Sequence, residues 1–426
     1  MRKTLAAIAG LIVAGLALTG CTGSTDTGEN GGDTSQVDVF TWWASGSAKT
    51  GLDALVAVFD EQFPGIEFVN AAAAGNAGSD AKNVLASRLK ANDPPDSFQA
   101  HAGAELTDDV DAGKLEDLTS FYTQNGLTDV FPAALLDRLT LNGKIYSVPS
   151  SIHRANVVWL NTALLTKVGI DPTKAPADLD AWLGDMKKLK DSGVGTPLSV
   201  AADAAQVQLF ENVLLSVLGA HDYQGLWDGS TPFGSAGVTK AIDYYDRLLA
   251  YANTDGAGQS WPAATDRVID GDAAYNVMAD WALAEFDAKG KTYGQEYTTW
   301  PTPGTDGVFD FVAESFTLPV GAPHPGAATS WLKTVSSADG QKAFNLANGS
   351  IPARADATAT DYPLYQQGAM ASFANDTLVS SLADGAAVKV SWLNDVTSAI
   401  GQFVSSKDVG ALQDALVQAQ SKGLAG

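Results

Sequence analysis

Two adjacent tryptophans, Trp42 and Trp43, are the first residues along the chain with the chemistry of a binding site. They follow a β-type run at 37–41 and precede a turn of small residues at 44–47. Successive side chains of a strand point to opposite faces, so both indoles cannot enter one core. We expect one to pack in a core and the other to offer a flat apolar face to a ligand at the strand end.

Gln99 and His101 form a second candidate pair. They follow a β-type run and are two residues apart, so both side chains leave the strand on the same face. An amide donates and accepts hydrogen bonds, and an imidazole does the same in its neutral form. The alternative for His101 is a loop histidine that is hydrogen-bonded to backbone.

The elements that position these residues alternate between strand and helix. The pattern predicts a helix that ends before Pro64, a strand at 66–70, a second helix from about Asp80 and a strand at 98–101. This order is typical of βαβ units and an α/β fold with a mainly parallel sheet. Asn142-Gly143 is a hairpin turn, 161–306 reads as mostly helical, and a β-rich segment restarts at Gly307.

Length and charge limit the class of protein. The chain has 426 residues, which suits two domains, and a formal net charge of −23 from 26 basic and 49 acidic residues. This balance excludes a nucleic-acid partner and polybasic docking on anionic lipid. It suits a soluble body outside the cell.

The N-terminus has the pattern of a lipoprotein signal. Arg2 and Lys3 precede a short apolar run, and residues 1–20 read as a secretory signal peptide that ends before the single cysteine, Cys21. "LTGC" resembles a bacterial lipobox, which implies that Cys21 is lipidated. Residues 21–36 then form a polar, flexible tether. The alternative is a signal peptide that ends near a free cysteine.

Six segments, in order, resemble the family 1 extracellular solute-binding proteins of bacterial ABC sugar importers, and most closely the glucose/mannose-binding subgroup. These segments are "TWWASGS", "NDPPDSFQAHAGAEL", "GKIYSVPSSIHRANVVWLN", "GDAAYNVMADWA", "ESFTLPVGAPHP" and "GQKAFNLANGSIPAR". The resemblance covers about residues 37–410. It implies a two-lobe, periplasmic-binding-protein-like α/β fold with three interlobe crossovers and a ligand cleft between the lobes. Lobe one would be 37–149 plus 312–352, and lobe two 150–311 plus 353–426.

The resemblance also implies the ligand-binding residues. It adds two aromatic residues of lobe two and three polar positions to the pairs above, although helical spacing alone would make Trp281 a core residue. On the predicted crossover, His153 and Arg154 are expected to hold the hinge rather than to contact ligand. The full predicted set is Trp42, Trp43, Gln99, His101, Trp261, Trp281, Glu314, Asn348 and Asp384.

Four positions depart from the pattern of the glucose-binding members. Where this chain has Glu314, Asn348 and Asp384, those members are expected to have Asp, Lys and His, respectively. They are also expected to have a Glu at about the position of Ala48. The changes remove two cations, which places plain D-glucose in doubt and leaves the sugar class standing. Two ligands stay open: one with an amino or cationic group held by Glu314 and Asp384, and a larger glycoside that uses space at Ala48 and Asn348.

We therefore predict a non-enzymatic, lipid-anchored component of an ABC importer at the outer face of the cytoplasmic membrane. It binds a mono- or small oligosaccharide, most closely a glucose-like hexose, and delivers it to permease subunits as a monomer. No cofactor or metal ion is expected, since the sequence lacks the Walker, Rossmann, zinc and serine-hydrolase motifs. The alternatives are a lipid-anchored glycoside hydrolase with an acid pair and a surface adhesin or sensor.

Overall fold

The computed structural model describes residues 35–71 and 79–425. The strands of these residues are β1 Gln36–Phe40, β2 Glu67–Asn70, β3 Ser97–His101, β4 Thr140–Leu141, β5 Lys144–Ile145, β6 Ser147–Arg154, β7 Val157–Asn161, β8 Thr196–Ser199, β9 Ala273–Val277, β10 Tyr297–Pro301, β11 Val308–Thr317 and β12 Thr377–Ser380. The predicted signal peptide, Cys21 and all but the end of the tether lie outside the described residues. Over the part of the chain that is described, no helix is long and apolar enough to cross a membrane.

The helices connect the strands and cover the sheets. They are α1 Gly46–Gln62, α2 Ser79–Lys90, α3 Thr107–Asp111, α4 Thr119–Gln124, α5 Leu127–Val130, α6 Ala133–Leu139, α7 Thr162–Lys167, α8 Leu179–Asp191, α9 Ala204–Asp228, α10 Ala236–Leu249, α11 Trp261–Asp270, α12 Ala282–Ala288, α13 Pro325–Ser336, α14 Ala338–Asn348, α15 Leu364–Asn375, α16 Val390–Ser406 and α17 Val409–Ala425.

The first sheet contains the predicted βαβ units. Its order is β12-β11-β3-β1-β2, with β6 also paired to β11. β1 runs parallel to both β2 and β3, as the strand and helix spacing predicts. Val37 and Val39 of β1 are fully buried, because helices cover the sheet.

The second sheet has the order β10-β7-β9-β8. β8 and β9 are parallel, and β7 is antiparallel to β9 and β10. Three of these strands, β8, β9 and β10, interrupt the region at 161–306 that the sequence pattern predicts to be mostly helical. Each has only four or five residues, and β9 is buried throughout. A short buried strand has no alternation to distinguish it from a piece of helix.

The long strand β11 pairs with three strands of the first sheet. Val308 to Phe311 pair with β12, whereas Glu314 to Phe316 pair with β3. Where β6 passes into β7, the Asn156 side chain donates to the main-chain oxygen of Val308 at 2.9 Å. The β-rich restart predicted at Gly307 is confirmed as the strand β11.

Two large hydrophobic clusters stabilise this two-lobe α/β fold. One packs the first sheet against α1, α13 and α14 around Phe59, Trp331 and Phe344, and it also takes in residues near the second sheet. The other packs α8, α9 and α10 around Trp182 and Phe210. A small cluster of Ala155, Ala279 and Val312 lies at the crossing, and Trp281 packs against it.

Candidate ligand-binding site

One cavity of about 510 Å³, including its open mouth, collects residues that are far apart in the sequence. Eight of the nine predicted ligand-binding residues line it, together with Ala48 and His153. The lining residues are Trp42, Trp43, Ala48, His101, His153, Trp261, Trp281, Glu314, Asn348 and Asp384.

Strand ends bring the first side of this cavity together. β1 and β3 are parallel neighbours, so the tryptophan pair after β1 and His101 at the end of β3 reach the same edge of the sheet. Glu314 of β11 is the cross-strand partner of His101. Asn348 arrives as the last residue of α14. The sheet register, which the sequence does not state, therefore explains how these residues meet.

The two tryptophans follow the end of β1 and both line the cavity, but they differ in burial. Trp43 is 3% exposed and packs against Phe316 and Phe344, with ring centroids 5.6 and 4.7 Å away. Trp42 is half-buried and lies 5.4 Å from the ring of His101. Trp43 thus anchors the turn in the core, and Trp42 keeps an indole face at the cavity.

Two further tryptophans form the other aromatic wall. Trp261 is the first residue of α11, and its ring centroid lies 6.4 Å from that of Trp281. Trp281 precedes α12 instead of lying inside it, so the helical core position suggested by spacing alone is wrong. Its ring contacts His153 edge to face at 5.2 Å. Both indoles are half-buried and line the cavity.

His101 sits in a buried chain of charges. Its Nδ1 lies 2.9 Å from Glu105 Oε2 and its Nε2 lies 3.4 Å from Glu314 Oε1. Burial opposes protonation of this imidazole, but the two carboxylates outweigh it and raise the pKa of His101 to about 10. Lys82 completes the chain through a 2.7 Å ion pair with Glu105.

The two acids of this chain are ionised. Burial favours their neutral forms, yet Lys82 and His101 lower the pKa of Glu105 to about 2. Burial also acts to raise the pKa of Glu314, but the charge of His101 outweighs it and holds that pKa below its usual range. With Lys82 and His101 each positive and both acids negative, the four charges balance.

Gln99 does not line the cavity. Its side chain is buried: Oε1 accepts from the Thr41 hydroxyl and from the Trp42 main-chain N–H at 3.2 Å, and Nε2 donates to Glu314 Oε2 at 2.6 Å. The amide predicted to meet ligand is therefore occupied in fixing Glu314 and the Trp42 turn. Its strand face was predicted, but the sequence gives no sign of these partners.

His153 forms a second buried pair, with Asp280. The Nδ1–Oδ1 distance is 2.5 Å, and Asp280 Oδ2 accepts from the Arg154 main-chain N–H at 3.1 Å. Because the carboxylate can only accept, Nδ1 carries the proton. Burial raises the pKa of Asp280 even though His153 opposes this. His153 ties β6 to the segment before α12 and, although buried, also lines the cavity.

Arg154 makes only structural contacts of the predicted kind. Nε donates to Asn156 Oδ1 at 2.9 Å, and Nη2 donates to the Val308 carbonyl at 2.9 Å. The guanidinium also lies over the Phe309 ring. These contacts join β6 to β11, and the hinge role of Arg154 stays a prediction.

Asn348 and Asp384 complete the polar lining. Asn348 is buried, and its Oδ1 has no hydrogen-bond partner among the described residues. Asp384 follows β12 and lies 3.3 Å from the Ser381 hydroxyl. Burial raises the pKa of Asp384, although the positive charges of His101 and Lys82 oppose it. An unpartnered buried oxygen beside a cavity is a group that a bound molecule can satisfy.

Sequence reasoning missed the residues behind the lining. Glu105 lies four residues after His101, and Asp280 lies immediately before Trp281. Both are inside segments quoted for the family resemblance, so the sequence could have indicated them. Lys82 is on α2, and no local pattern distinguishes it from a solvent-facing lysine. The contact of Glu105 with His101 is local, whereas Lys82 reaches Glu105, and Asp280 reaches His153, only through tertiary structure.

A two-lobe α/β fold with an aromatic and polar cavity at its strand ends defines a binding protein that encloses a small ligand. The family profile described as bacterial extracellular solute-binding protein matches residues 29–342. The chain belongs to this family.

Individual relatives agree in fold and length. An uncharacterized ABC transporter extracellular-binding protein of Pyrococcus horikoshii is 32% identical, over 98% of this chain and 95% of its own. A probable sugar-binding periplasmic protein of Brucella melitensis is 30% identical, over 89% and 91%. A solved chitin oligosaccharide binding protein has a TM-score of 0.81 at 19% identity, over 93% of this chain and all of its own.

Proposed function

We propose that the protein captures a neutral sugar in the cavity and delivers it to the membrane subunits of an ABC importer. The observation that carries the proposal is the arrangement of three half-buried indoles, Trp42, Trp261 and Trp281, around one cavity with carboxylate, amide and imidazole groups. Sugars have apolar C–H faces that stack on aromatic rings and a rim of hydroxyls that needs polar partners. The name of the Brucella melitensis relative supports the same ligand class.

The charges of the cavity favour a neutral ligand over a cationic one. Glu314, which could attract an amino group, has its two oxygens directed at Gln99 and at the protonated His101. Burial also makes Asp384 harder to ionise. Of the two ligands that the sequence left open, the larger neutral glycoside is supported better, since Ala48 has a small side chain on the lining.

The proposed mechanism is closure of two lobes around the ligand. We assign residues 37–149 and 312–352 to lobe one and 150–311 and 353–426 to lobe two, with β6 and β11 as crossover strands. Trp42 and Glu314 would contact the sugar from one lobe, and Trp261, Trp281 and Asp384 from the other. The closed form gains affinity because the ligand bridges both lobes.

We further propose that the protein is tethered to the outer face of the cytoplasmic membrane through lipidated Cys21. The lipobox-like "LTGC" supports this attachment. Replacement of the thiol, Cys21→Ala, is expected to release the protein from the membrane fraction into the soluble fraction. Full retention of the Cys21→Ala variant in washed membranes would contradict the anchor.

Calorimetry over a panel of D-glucose, D-galactose, D-xylose, maltose and glucosamine tests the ligand class. We expect stoichiometric binding of at least one neutral sugar and no gain for glucosamine over D-glucose. Trp42→Ala should weaken binding at least about tenfold, because loss of stacking and buried apolar area removes roughly 1.5–3 kcal/mol. The control is Tyr251→Ala, a half-buried aromatic outside the lining. Release of reducing sugar from oligosaccharides would instead indicate an enzyme.

A further inference from the structure

Two residues of the cavity lining each have a buried polar atom without a hydrogen-bond partner among the described residues. These atoms are Oδ1 of Asn348, a side chain that is 3% exposed, and Nε1 of Trp281. The first atom only accepts a hydrogen bond, and the second only donates one. Because buried polar groups are nearly always paired, this acceptor and this donor together match a ligand group that both donates and accepts.

Asn348 packs against the helix face that carries Ala48. Ala48 lies in the first turn of α1, and Gly51 follows three residues later on the same face of the helix. A Cβ at Gly51 would lie 3.0 Å from Asn348 Cβ, so the end of α14 is in contact with this face. Ala48 also lines the cavity. The Asn348 amide and the Ala48 methyl group therefore lie on the same side of the cavity.

Trp281 reaches the same place from the other direction. Gly349 follows Asn348, and a Cβ there would lie 3.3 Å from the main-chain oxygen of Asp280, the residue before Trp281. The end of α14 thus contacts the segment that carries this indole. Ala48 and Trp281 also pack against the same hydrophobic cluster. We call the three lining residues Ala48, Trp281 and Asn348 the Asn348 corner.

The Asn348 corner provides an acceptor, a donor and a methyl group, and none of its side chains is charged. A secondary amide has an N–H that donates and a carbonyl that accepts, and an acetyl amide adds a methyl group. An ammonium group only donates, so it would leave Trp281 Nε1 unpaired. A hydroxyl group both donates and accepts, but it has no apolar part to pack against Ala48. The acetamido group therefore matches the corner in all three respects.

We propose that the Asn348 corner is a subsite for an acetamido group, so that the cavity takes an N-acetylhexosamine or an oligosaccharide that contains one. The amide N–H donates to Asn348 Oδ1, the acetyl carbonyl accepts from Trp281 Nε1, and the acetyl methyl group packs against Ala48. This inference rests on the proposed function, because it names a substituent of the sugar that the cavity binds. It gives Trp281 a hydrogen bond to the ligand in addition to its aromatic face.

Calorimetry with matched pairs of sugars tests the substituent. The probes are N-acetyl-D-glucosamine, N-acetyl-D-galactosamine and N,N′-diacetylchitobiose, compared with D-glucose, D-galactose and cellobiose, respectively. In at least one pair, the acetylated sugar should bind at least about tenfold more tightly, since it gains two hydrogen bonds to buried groups and buries a methyl group. D-Glucosamine, which has no acetyl carbonyl, should show no such gain over D-glucose.

The outcomes of this comparison separate the two proposals. If a parent sugar binds and no acetylated sugar binds more tightly than its parent, the acetamido subsite is overturned and the proposed function stands. If no sugar of either panel binds, the proposed function fails, and the subsite fails with it.

Trp281→Phe separates the hydrogen bond from the aromatic face. Phenylalanine keeps a ring but has no N–H, so the preference for the acetylated sugar over its parent should fall roughly three- to tenfold. The matched control is Trp227→Phe, because Trp227 is also half-buried with an unpartnered Nε1 but lies outside the lining. This control should keep the preference. An unchanged preference in Trp281→Phe overturns the hydrogen bond from the indole.

Ala48→Leu and Asn348→Leu test the other two sides of the corner. The first variant fills the space for the methyl group, and the second removes the acceptor with little change in side-chain size, so both should lose the preference for the acetylated sugar. Ala57→Leu, at an exposed position of α1, is the control and should keep it. If Ala48→Leu does not fold, Asn348→Leu still decides. The wild-type preference in either folded variant overturns the assignment of the corner.

Discussion

At the scale of single residues, Lys82 links the two kinds of contact that a sugar-type site needs. Its ammonium pairs with the buried Glu105, lies 3.5 Å from His101 Nδ1 and sits 5.2 Å from the centre of the Trp42 ring. One cation therefore supports both the charged chain and the indole face. Because it reaches these groups from behind, it acts on the cavity without lining it.

Lys82→Met is expected to weaken sugar binding and to destabilise the fold, since Glu105 is left as a buried anion with one partner fewer. Because Lys82 is partly exposed, we expect a loss of about 1–3 kcal/mol in the free energy of unfolding, measured by urea titration. Lys82→Arg should restore most of it. Lys90→Met, at an exposed position of the same helix, is the control and should change neither quantity.

His101 makes stability sensitive to alkaline pH. Its folded pKa is raised from 6.5 to about 10, so its stabilising contribution is complete below about pH 6.5 and is lost as the pH rises toward 10. His101→Gln should be less stable at neutral pH and show a smaller decrease in unfolding free energy over that interval. Thermal and urea unfolding at a series of pH values measure this.

Asp310→Asn provides the contrast for that experiment. Burial raises the pKa of this acid from 3.8 to about 8, so the penalty for ionising it in the fold grows between these values and is constant above them. The variant should reduce the decrease in unfolding free energy between about pH 3.8 and 8 and keep the decrease due to His101, which begins at about pH 6.5. Two variants with the same profile would contradict the assignment of these two groups to different, overlapping pH intervals.

At the scale of elements, the local pattern predicts the parts of the fold that carry their own signals. α1 ends before Pro64, and α2 and β2 lie at the positions predicted from hydrophobic periodicity. Asn142-Gly143 forms the predicted hairpin turn, between β4 and β5. β8, β9 and β10 were missed because strands of four or five residues are too short to be told from helix by their hydrophobic pattern. Trp281 was placed in the cavity by the family resemblance, whereas helical spacing alone would have placed it in a core.

The same distinction applies to the candidate site. Of the eight predicted residues that line the cavity, six belong to the segments quoted for the family resemblance, whereas Trp261 and Asp384 lie outside those segments. Gln99 was predicted to contact ligand because the sequence indicates which strand face it occupies. The sequence does not indicate its hydrogen-bond partners. The register that pairs His101 with Glu314, and the contacts of Lys82, depend on tertiary packing that no local pattern contains.

The junction between α14 and the segment before α12 gives a prediction about elements. Gly349 has φ of +89° directly after Asn348, and a Cβ there would lie 2.9 Å from Leu283 Cβ and 3.3 Å from the Asp280 carbonyl. Gly349→Ala should therefore cost more than the roughly 1–2 kcal/mol of a left-handed alanine alone, and it should weaken sugar binding by displacing Asn348.

Gly290→Ala is the matched control, because Gly290 also has positive φ, +66°, with open space around its Cβ direction. The difference between the two variants in urea unfolding measures the close approach of the two elements. Equal losses would mean that α14 and the 280–283 segment separate freely, which contradicts the tight junction.

At the scale of the whole molecule, the arrangement of the cavity predicts that ligand and lobe closure depend on each other. Trp42 and Glu314 come from segments that we assign to lobe one, whereas Trp261 and Asp384 come from segments that we assign to lobe two. A ligand shifts the equilibrium toward a closed form only by its extra affinity for that form. Removing contacts from either lobe should therefore impair closure itself and not only the binding at that lobe.

Small-angle X-ray scattering and thermal unfolding with the best-bound sugar of the panel test this. Saturating sugar should reduce the radius of gyration and, at 100 times Kd, stabilise the fold by about 2.7 kcal/mol. Trp42→Ala and Trp261→Ala, measured at sugar concentrations matched to their own Kd, should each show less compaction than the wild type, because closure needs contacts on both sides. Tyr251→Ala should compact normally. Full compaction in both tryptophan variants would indicate that one lobe alone drives the change, and tight binding without compaction would refute closure.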